Sequence, residues 1–577
     1  MRTQQRFTGL LALVFSILPN AWSLADLQVP FSSDVETQPL RIAIIGARAG
    51  GSSAAFWVSK AAERHERTIH VDVYEQSNYI GGRSAVVYPQ NNESLQAIEL
   101  GAPTFAGFNK NMMRAVKEFN LTLSRPYGVK DTSGLWNGEK ITVQARGSGW
   151  RCYDQVKTLW RYGVSSLDWT PPCDRELSMW RLFETVYSPF GEPWTQIEHF
   201  GSGMSSSTLT SKTFANCMRS EGVSERFIQE FVEPLIRSSY GQDTDKINAM
   251  MGEVSMRMAT ENPVTVEGGI FQVFEQFLNR SSANVHLNHK VTGVRLLSAD
   301  GKAKWALSVD HSPPTTPAYD HVIIAAPFAS SGIAIIDSPN TEAALRTPPV
   351  DYIRRHITLL TTVAAQPDPA YFNLPARARV PTFIATTRDS MGHGGKDSCV
   401  VGMQEPEFDS LQYLYQTKTA NEHGIDEWAV KITSKGRISD MRLVRMFGEE
   451  MITWVERKEW DAYPKAEALE TNNYPLISPA NGLWYVNAFE PFISTMETET
   501  VASRNIIEMI FRMEFATGMC ARDMELEYAQ LSSTCAESSA RSKCKGLPMM
   551  EDVCFYMYLD LFHHDLVSSL MSAMLYD

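Results

Sequence analysis

The chain has 577 residues, of which 44% are hydrophobic and 21% are charged. Its 53 lysines and arginines against 66 aspartates and glutamates give a net charge of −13, and no long basic run occurs, which argues against a nucleic-acid binder or an electrostatic membrane binder. The 35 glycines and 29 prolines are ordinary numbers, so collagen-like and low-complexity proteins are excluded. The length suits one large composite domain or two to four ordinary ones.

The first residues predict a secretory signal peptide over 1–25. Arg2 and Arg6 precede an apolar stretch that is too short for a comfortable membrane span, and Ala21 and Ser23 offer a small-x-small cleavage site. An uncleaved signal anchor is the alternative. No later stretch reaches the apolar length of a spanning helix, so we expect a protein of the secretory pathway, secreted or in a lysosomal or vacuolar lumen, without a transmembrane span after cleavage.

Sequons and cysteines agree with that compartment. Three N-x-S/T sequons mark possible glycosylation sites at Asn92, Asn120 and Asn279. Four of the eight cysteines lie in the C-terminal extension, 516–577, with no metal-ligand spacing, and an oxidising compartment favours disulfides there. We therefore expect no metal site. Cys152 and Cys173 could form a further disulfide. Cys217 and Cys399 resemble buried free thiols.

A dinucleotide-binding βαβ unit is predicted over 41–75. The segment RIAIIGARAGGSS gives a short strand that runs directly into glycines, an Ala-rich helix follows, and a second strand ends at Glu75. The free N–H groups and positive dipole end of the helix suit a pyrophosphate. Glu75, 29 residues after Gly46, can accept hydrogen bonds from the adenosine ribose.

The glycine pattern departs from G-x-G-x-x-G at one position. Gly46, Gly50 and Gly51 are retained, but Arg48 stands where the middle glycine would let the backbone approach the pyrophosphate. Either Arg48 swings outward and pairs with a phosphate oxygen through its guanidinium, or the site has lost its nucleotide. We expect binding to be retained, because the rest of the fingerprint is intact.

A second glycine turn favours FAD over NAD. The Gly81-Gly82-Arg83 turn follows the ribose acid, and the stretch ELGAPT ends at Thr104. FAD binds in an extended form, so the chain must return to its pyrophosphate and ring. Arg83 can neutralise phosphate charge, and backbone near Thr104 can approach the isoalloxazine. This arrangement is similar to that of the amine oxidases and related flavoproteins.

Later segments extend the same fold. We predict a glycine turn followed by a helix over Val264–Leu278 and a strand pair over Asn284–Leu297. A buried strand is predicted over Tyr319–Pro327 and a further strand over Gly482–Asn487. In the strand pair, Val291 would touch adenine through its backbone.

A helix is predicted to begin around Thr495–Thr498 and to aim its N-terminus at the flavin N1/C2 region, where negative charge grows on reduction. Glu497 and Thr498 are therefore candidate cofactor contacts. Alternatively, Glu497 and Glu499 are first-turn acids that stabilise the helix, and both roles are compatible.

These elements predict an α/β protein: a discontinuous, amine-oxidase-like Rossmann-type FAD-binding domain with an interleaved α+β substrate domain. The predicted FAD domain comprises 40–130, 260–335 and 475–515, and the substrate domain 131–259 and 336–474.

The chain resembles the prenylcysteine oxidase family, also called prenylcysteine lyase. The resemblance covers about 40–515, and its most specific part is Phe231–Met256, whose PLIRSSYGQ-type segment generic flavoproteins lack. The segments that carry it are IIGARAGGSSAAF, VDVYEQSNYIGGR, FVEPLIRSSYGQDTDKINAMMGEVSM, VEGG and YDHVIIAAP. The resemblance implies a secretory or lysosomal FAD thioether oxidase that uses O2 and releases cysteine, an isoprenoid aldehyde and H2O2. Arg48 and the Cys-rich tail depart from it and leave a changed substrate or pathway role open.

The chemistry of such an enzyme needs a flavin face, a dry apolar slot and a placed water, with no metal or nucleophilic triad. Neither HExxH nor GxSxG occurs. The sequence identifies no catalytic base; Glu490 is a weak candidate near the flavin, and a structural role suits it equally.

Three hypotheses remain open at this point. The first is an FAD oxidase of a prenylated thioether, the second is a related FAD oxidase of another apolar metabolite, and the third is a secreted binding protein that has lost FAD through Arg48.

Overall fold

The computed structural model describes residues 39–101, 103–126, 128, 132–146, 161–162, 187, 193–197, 209–260, 263–297, 303–310, 317–346, 350–387, 406–417, 426–469 and 474–519. The predicted signal peptide and nearly all of the C-terminal extension lie outside these ranges. The described residues from Leu40 onward belong to one compact unit. Within the described ranges, every helix is too short or too polar to cross a bilayer.

Nineteen strands are described. They are β1 (Leu40–Ile45), β2 (Ile69–Glu75), β3 (Val86–Val87), β4 (Ile98–Glu99), β5 (Leu123–Ser124), β6 (Thr132–Trp136), β7 (Ile141–Arg146), β8 (Thr265–Val266), β9 (Asn284–Leu287), β10 (Val291–Leu297), β11 (Lys304–Val309), β12 (His321–Ile324), β13 (Ala334–Ile336), β14 (Tyr352–Thr362), β15 (Phe383–Thr386), β16 (Ser410–Thr417), β17 (Glu427–Ser434), β18 (Ile452–Pro464) and β19 (Leu483–Tyr485).

The helices of the described residues are α1 (Ala49–Arg64), α2 (Lys110–Glu118), α3 (Phe214–Ser220), α4 (Glu225–Phe227), α5 (Glu233–Tyr240), α6 (Ala249–Thr260), α7 (Phe271–Asn279), α8 (Phe328–Ser331), α9 (Pro339–Arg346), α10 (Asp440–Phe447) and α11 (Met496–Phe515). A π-helical turn, Ile228–Val232, joins α4 to α5.

A five-stranded parallel sheet forms the predicted Rossmann-type unit. Its strand order is β19-β12-β1-β2-β9, and every neighbouring pair is parallel. Strand β1 is central, and Ile42, Ala43 and Ile44 are fully buried because both faces of the sheet are covered. Helix α1 packs against α7 and α11. The predicted order of strand, glycine turn, helix, strand and acid is confirmed.

The prediction of a strand pair over 284–297 is wrong in its pairing. Strand β9 joins the parallel sheet beside β2, whereas β10 joins a separate sheet of order β11-β10-β13. The turn between them explains the change of sheet. Asn288 has φ +59°, and the amides of Asn288 and His289 donate to the carbonyls of Ser77 and Glu75, so the chain is anchored at the end of β2 before β10 departs.

A seven-stranded sheet stands opposite, with strand order β18-β14-β17-β16-β15-β6-β7. All its strands lie in segments assigned above to the substrate domain, and all five strands of the parallel sheet lie in segments assigned to the FAD domain. One face buries an apolar cluster that includes Leu411, Tyr413 and Ile432 with Leu443 of α10. The other face lines a cavity. The division into two domains stays a prediction, since the described residues form one compact unit.

Cys217 corrects one expectation about the cysteines. Its side chain is buried and disulfide-bonded, so the prediction of a free thiol at this position is wrong. Spacing along the sequence could not reveal this, because disulfide pairing depends on which cysteines the fold brings together.

Candidate cofactor and active site

One cavity of about 510 Å³ runs from the glycine turn of the Rossmann unit to the seven-stranded sheet. Around the two glycine turns it is lined by Arg48, Ala49, Gly50, Gly81, Arg83 and Glu499, and it is also lined by Glu99, Gly101, Thr104, Thr495 and Met496. The opposite wall carries Ile357, Phe383, Leu414, Trp460 and Tyr463, with the polar side chains of Ser410, Gln412, Lys431 and Thr433. The same space therefore joins a nucleotide-type turn to a largely apolar wall.

The glycine turn leaves no room for side chains. A Cβ on Gly46, whose φ is +106°, would lie 2.7 Å from the carbonyl oxygen of Ala325, and a Cβ on Gly51 would lie 1.8 Å from that of Gly46. Helix α1 starts here without an acidic residue in its first turn, and its N-cap side chain makes no capping hydrogen bond. The N–H groups at this end are thus available to an anion.

Arg48 turns away from the glycine turn and lies across the second one. Its Cγ and Nε come within 2.5 Å of where a Cβ on Gly82 would be. The side chain lines the cavity, and among the described residues no group accepts a hydrogen bond from its guanidinium. Burial and the nearby Arg83 lower the pKa of Arg48, while Glu75 and Glu490 oppose that shift. A half-buried cation without an acceptor among the described residues fits an anionic phosphate.

Glu75 ends β2 and fixes the turn. Its Oε2 accepts a hydrogen bond from the amide of Ala47 at 2.9 Å, and its Oε1 accepts one from the amide of Ser77 at 2.9 Å. Each carboxylate oxygen keeps a further acceptor position for a ribose hydroxyl. Glu75 is not among the described residues that line the cavity, but it lies close enough to Arg48, which does line it, for their charges to interact.

Arg83 is held by a buried network. Its Nη2 donates to Oε1 of Glu490 at 2.7 Å, and its Nη1 donates to the carbonyl of Ala462. The hydroxyl of Tyr352 donates to Oε2 of Glu490. Burial lowers the pKa of Arg83, but Glu490 and Tyr352 outweigh it and hold that pKa above its usual value. Glu490 is fully buried, so its carboxylate anchors Arg83 and does not face the cavity.

Helix α11 begins where it was predicted. Thr495 is its N-cap and forms a reciprocal capping box with Thr498. Thr495 and Met496 line the cavity, so the N-terminus of the helix points a positive dipole end toward it. The side chain of Thr498 accepts a hydrogen bond from the amide of Thr495 in the cap and also donates to the carbonyl of Ile493, and Thr498 is not among the described residues that line the cavity.

Glu497 takes a different place from the predicted one. Its two oxygens accept hydrogen bonds from the amides of Asn111 at 2.8 Å and Met112 at 3.0 Å, and the hydroxyl of Tyr187 also donates to it. It therefore caps the N-terminus of α2 rather than contacting a cofactor. Burial raises the pKa of Glu497 to about 7, although these hydrogen bonds oppose the shift.

Glu499, not Glu497, is the acid of α11 that reaches the cavity. Its Oε2 lies 2.8 Å from where a Cβ on Gly50 would be, and its Oε1 accepts a hydrogen bond from Asn487 at 3.2 Å. Burial, together with the charge of Glu490, raises the pKa of Glu499 to about 8.

Two predicted cofactor contacts remain, Thr104 and Val291. Thr104 lines the cavity. Val291 is buried at the start of β10, two residues after the amide that donates to the carbonyl of Glu75, and it is not among the described residues that line the cavity.

Sequence reasoning missed the polar residues of the opposite wall. Lys431 and Gln412 face each other across β17 and β16, and both line the cavity. A signal exists in hindsight, because Lys431 interrupts the apolar run from Ala429 to Ile432 in the middle of a strand.

The prenylcysteine lyase family matches residues 145–519, which is more than half of the chain. The chain belongs to this family. A second family, the NAD(P)-binding Rossmann-like domain, matches residues 44–119, which include the glycine turn and Glu75.

Curated relatives of this prenylcysteine lyase family member match along nearly their whole length. Farnesylcysteine lyase of Arabidopsis thaliana is 25% identical over 508 residues, which are 84% of this chain and 92% of the relative. Prenylcysteine oxidase 1 of Homo sapiens is 24% identical over 511 residues, 85% of this chain and 93% of the relative. Prenylcysteine oxidase 1-like of Homo sapiens is 26% identical over 501 residues, 84% and 92% of the two chains.

Solved structures share the fold. A single-residue variant of putrescine oxidase superposes with a TM-score of 0.50 at 12% identity, over 82% of this chain and all of that one. A fatty acid isomerase from P. acnes gives the same TM-score and identity over 82% and 99% of the two chains. The family member therefore has an amine-oxidase-like α/β fold with a Rossmann-like dinucleotide-binding domain.

Proposed function

We propose that the protein is an FAD-dependent oxidase that cleaves a prenylated cysteine thioether, giving cysteine, an isoprenoid aldehyde and H2O2. The observation that carries the proposal is one continuous cavity that connects the glycine turn and Arg48 with the apolar wall of the seven-stranded sheet. A flavin needs the first part, and an isoprenoid chain needs the second.

The residues present fit FAD. The N-terminus of α1, Arg48 and Arg83 would hold the pyrophosphate, Glu75 the ribose, and the N-terminus of α11 the pyrimidine end of the ring. When bound, FAD supplies a hydride acceptor for the carbon next to sulfur and passes the two electrons to O2.

The chain itself supplies the environment for the carbon–sulfur cleavage. Ile357, Leu414 and Trp460 offer an apolar surface that excludes bulk water from the allylic carbon. Sulfur stabilises the cation left by loss of hydride, one water adds to that carbon with loss of a proton, and the hemithioacetal collapses to aldehyde and thiol. No metal or nucleophilic side chain is required by this sequence of steps.

The test is the visible spectrum of the purified protein before and after anaerobic addition of farnesylcysteine, with S-methylcysteine as the matched control. Flavin bands that bleach with farnesylcysteine alone would support the proposal. Flavin bands that do not bleach would reject prenylated cysteine as the substrate and favour an FAD oxidase that acts on another apolar metabolite. Absence of flavin bands after reconstitution with FAD would reject the hypothesis of an FAD-dependent enzyme and favour a binding protein without flavin.

We also propose that the protein acts in the secretory pathway, secreted or in a lysosomal or vacuolar lumen. The N-terminal sequence and the exposed positions of Asn92, Asn120 and Asn279 support this location, as does the disulfide at Cys217. After expression in a eukaryotic secretory host, glycosidase treatment should reduce the apparent mass of the wild type. A variant with all three asparagines changed to Gln should show no shift, and a wild-type protein without glycans would contradict the proposal.

A further inference from the structure

Lys431 brings a positive charge to the wall of the cavity that the seven-stranded sheet forms. It lies in the middle of β17, half-buried, and its Nζ donates to the backbone carbonyls of Glu99 at 2.7 Å and Gly101 at 3.5 Å. Within the described ranges no carboxylate lies within ion-pairing distance of that ammonium. Burial lowers the pKa of Lys431 to about 8, and the charge of Glu99 opposes the shift. The ammonium is desolvated without a fully compensating anion.

Glu99 brings the opposite charge to the same place. It is 9% exposed at the end of β4, and its Oε1 accepts a hydrogen bond from the amide of Ile270 at 2.6 Å. Its Oε2 is buried and accepts no hydrogen bond from any described residue. Burial raises the pKa of Glu99 to about 7, which the Ile270 amide and Lys431 oppose. A buried carboxylate oxygen without a donor carries a cost that a ligand could relieve.

The other charged groups of the described lining are already committed. Arg48, Arg83 and Glu499 lie at the phosphate end, beside the two glycine turns. Arg355 donates to Asp409 at 2.6 Å. Lys431 and Glu99 are thus the two opposite charges that remain for the substrate in the described part of the lining.

We infer that Lys431 and Glu99 bind the amino-acid head group of the substrate, with Lys431 on the α-carboxylate and Oε2 of Glu99 on the α-ammonium. This inference rests on the proposed function. In a cysteine thioether both head-group charges sit on one carbon, two bonds from sulfur, so a site for them must lie next to the reacting carbon. The isoprenoid then extends along the apolar wall.

The assignment makes the enzyme selective for a free amino acid. Esterification of the carboxylate removes the partner of Lys431, and acylation of the amine removes the partner of Glu99. Prenylcysteine within a peptide would therefore be disfavoured.

The experiment uses the FAD-loaded protein and S-dodecylcysteine, whose thioether has no allylic carbon, so that binding is measured without turnover. Calorimetry compares this zwitterion with its methyl ester and its N-acetyl derivative, which share the same tail. We expect the wild type to prefer the zwitterion over each derivative by at least about tenfold, the gain typical of a desolvated charged hydrogen bond.

Each variant should erase one preference only. Lys431→Met should bind acid and ester equally, and Lys431→Arg should restore part of the preference. Glu99→Gln should bind amine and N-acetyl compound equally. Lys458→Met, at an exposed lysine of β18, should behave as wild type.

Two results would overturn the inference: a wild type without preference, or variants that weaken all three ligands alike, as expected of a purely structural Lys431. The outcome is separate from the proposed function. Loss of flavin bleaching with farnesylcysteine would reject the thioether oxidase even if the head-group pattern appeared, and normal bleaching without the pattern would reject only this inference.

Discussion

Arg48 and Gly82 occupy complementary positions, since the arginine side chain passes through the space that a side chain at 82 would fill. The two glycine turns of the cofactor site therefore depend on each other. The first turn tolerates a long residue at its middle position because the second has none, and this places a guanidinium beside the predicted pyrophosphate.

Gly82→Ala should weaken FAD binding by displacing Arg48. Its Cβ would lie 2.5 Å from Nε of Arg48, and its φ of +58° adds the strain of the left-handed region, about 1–2 kcal/mol for alanine. The matched control is Gly222→Ala, since Gly222 has φ +80° and no atom within 4 Å of the added Cβ. Fluorescence titration of FAD should show a loss of affinity for the first variant and none for the second. Equal affinities would mean that Arg48 moves freely.

The charge of Arg48 has its own test. If the guanidinium pairs with a phosphate, Arg48→Met should lower FAD affinity by about tenfold or more, and Arg48→Lys should lower it less, because a charged hydrogen bond contributes about 1.5–3 kcal/mol. Arg48→Gly restores the usual glycine but removes the charge. An Arg48→Gly variant that binds FAD more tightly than the wild type would show that the arginine crowds the site.

Local sequence signals were sufficient to predict the Rossmann-type part of the fold. The strand, glycine turn, helix and Glu75 follow one another within a single βαβ unit. Thr495 and Thr498 indicate the start of α11, because the two threonines form its N-terminal cap. Contacts between distant segments could not be predicted in this way. Glu497 meets an amide 386 positions away at the start of α2, and Lys431 meets a carbonyl 332 positions away. First-turn acids look alike in sequence, whichever helix they cap.

Glu490→Gln should destabilise the protein and loosen Arg83. It leaves a buried guanidinium without its 2.7 Å carboxylate partner, and breaking such a pair costs about 3–5 kcal/mol. Tyr352→Phe is the matched variant, since it removes one hydrogen bond to the same carboxylate and keeps the ion pair, at about 2 kcal/mol. Denaturant unfolding should rank the wild type first, Tyr352→Phe second and Glu490→Gln last. If Tyr352→Phe were less stable than Glu490→Gln, the hydroxyl of Tyr352 would contribute more to stability than the ion pair between Glu490 and Arg83.

Glu497 should make stability fall as pH rises. Its pKa is about 7 in the folded protein against an ordinary value of 4.5, so between these pH values the folded state holds a proton that the unfolded chain has released. Stability therefore declines with rising pH, at most by about 1.4 kcal/mol per pH unit. A glutamine side chain does not titrate, and its Nε2 replaces an oxygen that accepts from an α2 amide. Glu497→Gln should therefore be less stable than the wild type near pH 5, and the difference should shrink toward pH 8. Denaturant unfolding at pH 5, 6, 7 and 8 checks this, with Glu221→Gln at an exposed site as control. Parallel stability profiles for the wild type and Glu497→Gln would mean that the α2 amides keep this carboxylate ionised throughout.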